Sequence, residues 1–92
     1  MKIEFDPVKS EKNRKERGFG FDLVTDFDFS SAIMTEDARK PYPERRFVAM
    51  GLIDARLYVL CLTPIEGGIR IISLRKANSR EVKKYAIQST TH

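Results

Sequence analysis

The chain has 92 residues, 41% hydrophobic and 33% charged. That is enough apolar material for one folded domain and too little length for two, which excludes a disordered chain and a two-domain architecture. Seventeen Lys and Arg against thirteen Asp and Glu give a formal charge of +4, a balance that favours polyanionic partners.

Cys61 is the one cysteine and lies in the apolar run 57–62, so an internal disulfide is excluded and a reducing, cytoplasmic setting is expected. That run is the longest apolar stretch, far short of the roughly 20 residues a membrane span requires, and the opening residues lack the apolar stretch of a signal peptide.

In chain order, Lys2 to Phe5 alternates polar and apolar residues and reads as a short strand. Asp6-Pro7 is a cap followed by proline at the first helical position, opening a helix from Pro7 to about Arg17 that Gly18 ends. Val8 is its sole aliphatic residue, so most of this helix must face water or a ligand. Phe21, Val24 and Phe27 are at helical spacing and predict a second short helix, although Phe27 and Phe29 alternate as in a strand. From Asp22 to Asp37 there are five carboxylates and no Lys or Arg, so the charge is segregated along the chain.

Ala32 to Thr35 reads as a strand and Glu36 to Pro43 as a loop. Three strands should follow, Arg46 to Ile53, Leu57 to Thr63 and Ile69 to Arg75, joined by a turn at Asp54-Ala55 and a connection from Pro64 to Gly68. These connections suit an antiparallel meander whose middle strand is apolar on both faces. Asn78-Ser79-Arg80-Glu81 resembles a capping box, after which Val82, Tyr85 and Ala86 form the apolar stripe of a final helix. The expected fold is α+β: a twisted antiparallel sheet with two N-terminal helices and a C-terminal helix. One domain should cover residues 1–88, with 89–92 as a frayed tail.

The chain has a single histidine, His92, and no glycine-rich phosphate loop or cluster suited to a transition metal, so no cofactor and no metal are expected. An enzyme built from this inventory must use Arg, Lys, Glu, Asp and Tyr. RNA suits it, because the 2′-hydroxyl brings its own nucleophile and leaves the protein to orient that group and stabilise charge on the phosphate.

Four stretches carry a family resemblance: Phe5-Asp6-Pro7-Val8-Lys9 with Asn13; Gly18-Phe19-Gly20-Phe21; Glu44 to Gly51; and Ile69 to Ala77 followed by Glu81 and Tyr85. In order and spacing they resemble BrnT, the toxin family of bacterial BrnT/BrnA toxin-antitoxin pairs, over roughly Ile3 to Tyr85. The resemblance implies a RelE-like fold, with helices on one sheet face and the other available for RNA. It implies a metal-independent endoribonuclease that arrests translation. It also implies a BrnA-like ribbon-helix-helix antitoxin that neutralises the toxin in a hetero-oligomer, through which alone operator DNA is contacted. Where the family has Lys-His before the glycine that ends the first helix, this chain has Glu16-Arg17.

Among the candidates, Arg70 and Arg75 lie an odd number of positions apart, so a regular strand points them to opposite faces. Arg75, beside Lys76 and Arg80, is the leading catalytic residue, because convergent positive groups and a bidentate guanidinium suit a phosphate; the alternative is a solvated basic edge. Arg46 either joins the site across the sheet or pairs with Glu44 or Glu81. Glu81 either caps its helix or serves as a general base, and Tyr85 either packs on the sheet or reaches the RNA. Lys9, Lys12 and Lys15, with Arg70 and Lys76, are candidate contacts to an RNA backbone, or else an exposed solubilising surface. A non-catalytic nucleic-acid-binding module and a basic protein-interaction domain are the competing functions.

Overall fold

A computed structural model describes residues 1–90, and the expected fraying of 91–92 lies outside the described residues. The elements are β1 (Lys2–Phe5), α1 (Pro7–Arg17), a 3-10 turn (Phe21–Asp26), β2 (Ile33–Glu36), β3 (Phe47–Ile53), β4 (Arg56–Ile65), β5 (Gly68–Lys76) and α2 (Ser79–Thr90). The final helix therefore continues through Ser89 and Thr90, past the expected limit at 88.

Local chemistry sets the ends of α1. Asp6 accepts the Val8 N–H at 2.8 Å, Pro7 occupies the first turn, and Gly18 at φ 90 reverses the chain with its N–H on the Arg14 carbonyl. The inward residues of α1 are polar: Ser10 accepts the Phe21 N–H at 2.8 Å, and Asn13 donates to the Phe19 carbonyl at 3.0 Å. The second expected helix is a 3-10 turn. Its buried residues Phe21 and Val24, and Phe27 just after its end, recur every third position, which is the period of a 3-10 helix.

The sheet has the order β1-β5-β4-β3-β2. It is mixed, not antiparallel throughout, because β1 pairs in parallel with β5 from Lys2↔Gly68 to Phe5↔Ile71. The chain leaves β1, crosses one face through α1 and the 3-10 turn, and enters the sheet again at the far edge, which allows that parallel pairing. Gly68 is required there, since a Cβ would run into the Lys2 carbonyl.

β3 and β4 form a hairpin closed by Asp54-Ala55, with Asp54 at φ 54, a conformation aspartate tolerates better than most residues. β4 continues through Pro64, which sequence assigns to a loop. Proline is accommodated because β3 pairs only as far as Leu62, leaving no partner on that side for the missing N–H.

The main core lies between the sheet and the α1 side, where Tyr58, Leu60, Leu62, Ile71 and Leu74 meet Phe21, Val24 and Phe27. The opposite face, which the family resemblance implies is available for RNA, is partly covered. α2 covers one end of it, seating Tyr85 on a second cluster of Leu57, Val59 and Ala77.

Candidate active site

β5 carries one extra residue. Cys61 pairs with Ser73 while Leu62 pairs with Ile71, so Ile72 forms a β-bulge. The bulge overturns the parity expected for Arg70 and Arg75. Arg70 pairs with Thr63 and Arg75 with Val59, four residues apart on β4, so both arginines point to the face away from the main core. They remain roughly 13 Å apart along the strand at 3.3 Å per residue, too far to share one phosphate.

Arg75 borders a cleft of about 610 Å³ on that face. Val48, Met50, Val59 and Ser73 are among its floor residues; Glu81 and Lys84 of α2 stand on one side and Asp37 and Arg39 of the β2–β3 loop on the other. Arg75 donates from Nη1 and Nη2 to the two Glu81 oxygens at 2.8 Å each. Glu81 also accepts the Asn78 N–H at 2.9 Å while Asn78 Oδ1 accepts the Glu81 N–H at 2.8 Å, completing the capping box. The Arg75 hydrogen bond above all holds the Glu81 carboxyl at about 2, far below the ordinary carboxylate range. A carboxylate so depressed is a poor general base at neutral pH and a good anchor. Two Arg75 donors are committed to Glu81; Nε and the remaining Nη hydrogens are not used by it.

The opposite wall is held by Asp37, whose side chain is 3% exposed. It accepts from Arg39 at 2.8 and 2.9 Å and from the Tyr42 hydroxyl at 3.2 Å, and the Arg39 bonds lead in holding its carboxyl at about 2. Arg39 itself remains exposed at the rim. Cys61 lies on the floor, where burial pushes its thiol up and leaves it a poor nucleophile.

The other sequence candidates are dispersed. Arg46 stacks on Tyr42 with its guanidinium 4.2 Å from the ring centre and pairs with Glu44 at 3.6 Å, not with Glu81. Tyr85 packs on the second cluster and donates to the Ser31 carbonyl at 2.9 Å. Arg80 is exposed and forms no ion pair among the described residues. Lys9, Lys12 and Lys15 are exposed on α1, remote from the cleft, with Lys12 paired to Glu16 at 3.8 Å. Arg70 is bound to Glu4 at 3.0 Å, and Lys76 is exposed next to Arg75.

Three residues not singled out from the sequence stand near Arg75 or its cleft. Lys84 lies one helical turn after Glu81, a spacing that signals a shared face. Arg39 owes its place to the fold of the loop. Arg17 reaches from the end of α1 to the Leu74 carbonyl at 3.3 Å, a contact spanning 57 positions.

No curated protein and no solved structure matches the chain. The family model described as the ribonuclease toxin BrnT of type II toxin-antitoxin systems matches residues 5–81, a span that contains β1's last residue, the whole sheet behind it, Arg75 and Glu81. By that match the chain belongs to the BrnT family of ribonuclease toxins of type II toxin-antitoxin systems.

Proposed function

We propose that the protein is a metal-independent endoribonuclease whose active site is the cleft between α2 and the β2–β3 loop, with Arg75 as the phosphate-binding catalytic residue. The observation that carries this reading is the bidentate Arg75–Glu81 pair beside Lys84, at the wall of a cleft of about 610 Å³ on the sheet. Glu81 takes one hydrogen from each Nη and the Lys76 carbonyl also accepts from Nη1, leaving Nε and the second Nη2 hydrogen for a non-bridging phosphate oxygen. The RNA 2′-hydroxyl attacks the adjacent phosphorus, a new 2′-O–P bond forms and the P–O5′ bond breaks. The 2′ proton passes to solvent, Arg75 neutralises the charge growing on the phosphate, and Lys84 hydrogen-bonds the departing O5′, which takes up a proton from solvent. The products are a 2′,3′-cyclic phosphate and a 5′-hydroxyl.

Membership of the family supports an antitoxin partner and an RNA target. The finer assignment is a BrnA-like ribbon-helix-helix antitoxin that silences the cleft in a hetero-oligomer, and arrest of translation in the cytoplasm through loss of messenger RNA. We read the order of strands, with α1 on one face and α2 over the end of the other, as a RelE-like arrangement.

The test is incubation of antitoxin-free protein with total bacterial RNA in excess EDTA, beside an Arg75→Ala control. Cleavage by the wild type alone with 2′,3′-cyclic or 3′-phosphate ends is the expected result. Intact RNA after incubation with folded wild type, or equal cleavage by the control, removes the assignment.

A further inference from the structure

β1 is only four residues long and pairs with β5 no further than Ile71. On the side away from β4, the last part of β5 therefore has a free edge. Such an edge exposes backbone carbonyls that need partners. Arg17 supplies one, its Nη1 donating to the Leu74 carbonyl at 3.3 Å, and Arg75 Nη1 lies 3.4 Å from the Lys76 carbonyl.

Beside this edge runs a groove of about 320 Å³ bordered by Arg17, Phe19, Arg75 and Lys76. Arg75 borders both this groove and the main cleft, and its Nη1 lies by the Lys76 carbonyl at this edge. The groove is built, not incidental. Asn13, 7% exposed, donates to the Phe19 carbonyl at 3.0 Å and accepts from Arg17 Nη1 at 3.1 Å, so one buried amide holds both walls. Gly18, at φ 90, turns the chain back so that Phe19 stands next to Arg17. Phe19 sets its ring edge-to-face on the buried Tyr58 at 5.3 Å and remains half-buried.

A half-buried aromatic ring flanked by three cations on a rigid frame has the composition of a single-strand nucleotide site: the ring stacks a base and the cations hold the phosphates on either side. The main cleft adds Lys84 and Arg39 beyond Arg75, with Glu36, Asp37 and Glu81 among the same lining residues, whereas the groove has no carboxylate among the described residues of its own lining. We infer that this groove is a nucleotide subsite for single-stranded RNA, in which Phe19 stacks the base adjoining the scissile phosphate and Arg17 and Lys76 hold the next phosphate. The inference rests on the ribonuclease reading for the position of the scissile phosphate at Arg75.

The test uses fluorescein-labelled 2′-O-methyl RNA of randomised sequence, which cannot be cleaved, lengthened one nucleotide at a time and titrated by fluorescence anisotropy. Wild-type affinity should rise about tenfold at the length that brings a base to Phe19, and Phe19→Leu should erase that step while leaving shorter oligonucleotides unchanged. Arg17→Ala should weaken longer oligonucleotides and reduce the slope of log affinity against log salt by about 0.7, with Arg17→Lys restoring it. Lys76→Gln, at an exposed position, provides the same readout if an Arg17 variant does not fold. Binding of every folded variant like wild type at all lengths, or no binding by the wild type, overturns the subsite. A Phe19-dependent step in a protein that leaves total RNA intact upholds the groove and removes the catalytic assignment. RNA cleavage with no such step does the reverse.

Discussion

Arg75 and Glu81 are joined by two parallel N–H···O bonds of 2.8 Å, and the same carboxylate closes the first turn of α2 through the Asn78 N–H. One acidic side chain thus fixes the direction of the proposed catalytic arginine and the start of the helix that walls its cleft. Replacing Arg75 with alanine removes the proposed phosphate-binding group without touching the main core. Cleavage should fall by about 10²- to 10³-fold, as when one donor to a developing oxyanion is lost. Initial rates on a fixed RNA substrate measure the loss, and an unchanged circular dichroism spectrum shows that the fold is retained.

Glu81 gives this pair a defined pH dependence. Its carboxyl is held at about 2 in the folded protein, chiefly by the Arg75 hydrogen bond, against about 4.3 for an unperturbed glutamate. The folded value is the lower one, so the stabilisation is fully present above the unfolded value and is lost as pH falls from there towards 2. Wild-type melting temperature should decline more steeply across that window than that of Glu81→Gln. Asp37 titrates in the same range in both proteins, which makes the difference between the two curves the quantity to read. Parallel curves would show that the pair contributes nothing to stability.

Tyr85 tests whether α2 contributes chemistry or only position. Its hydroxyl is committed to the Ser31 carbonyl at 2.9 Å, and its ring rests on the second apolar cluster. Tyr85→Phe keeps the ring and loses one hydrogen bond, so urea unfolding should show a loss of about 0.5–1.5 kcal/mol. RNA cleavage by this variant should stay within tenfold of wild type. A thousandfold loss at preserved stability would instead place the hydroxyl in the reaction.

Gly68→Ala addresses the edge of the sheet. A Cβ at this position overlaps the Lys2 carbonyl, so β1 must move away from β5 or the variant must carry the strain. Destabilisation of about 1–3 kcal/mol is expected, the range for forced overpacking. Hydrogen exchange should speed up at Lys2 to Phe5 before it does in β3 and β4.

Much of the fold was legible because its signals are local. Asp6-Pro7 and Gly18 bound α1, Asn78 and Glu81 open α2, and the apolar content of β4 marks it as the central strand. The parallel β1–β5 pairing was not legible, since it joins residues 66 positions apart and depends on the missing side chain of Gly68. Nor was the bulge at Ile72. It changes no residue type and is decided by how β5 fits β4, yet it moves Arg70 and Arg75 from opposite faces to the same one. Arg75 and Glu81 came together as sequence neighbours on a strand–helix junction, whereas Arg17 reaches its place through a contact distant in sequence and Arg39 through the fold of its loop on Asp37.

The parallel edge also sets an order of events in time. β1 is the first strand to be synthesised, and its partner Gly68–Ile71 belongs to the last. Non-local pairing of this kind must bear its loop-closure entropy before any contact repays it, and it slows folding. β3 and β4, joined by a two-residue turn, can pair as soon as both exist, while the free N-terminal strand waits. Because Arg75 follows that late partner within β5, the strand that completes the sheet and the strand that carries the proposed catalytic arginine are the same, and a half-made chain has neither.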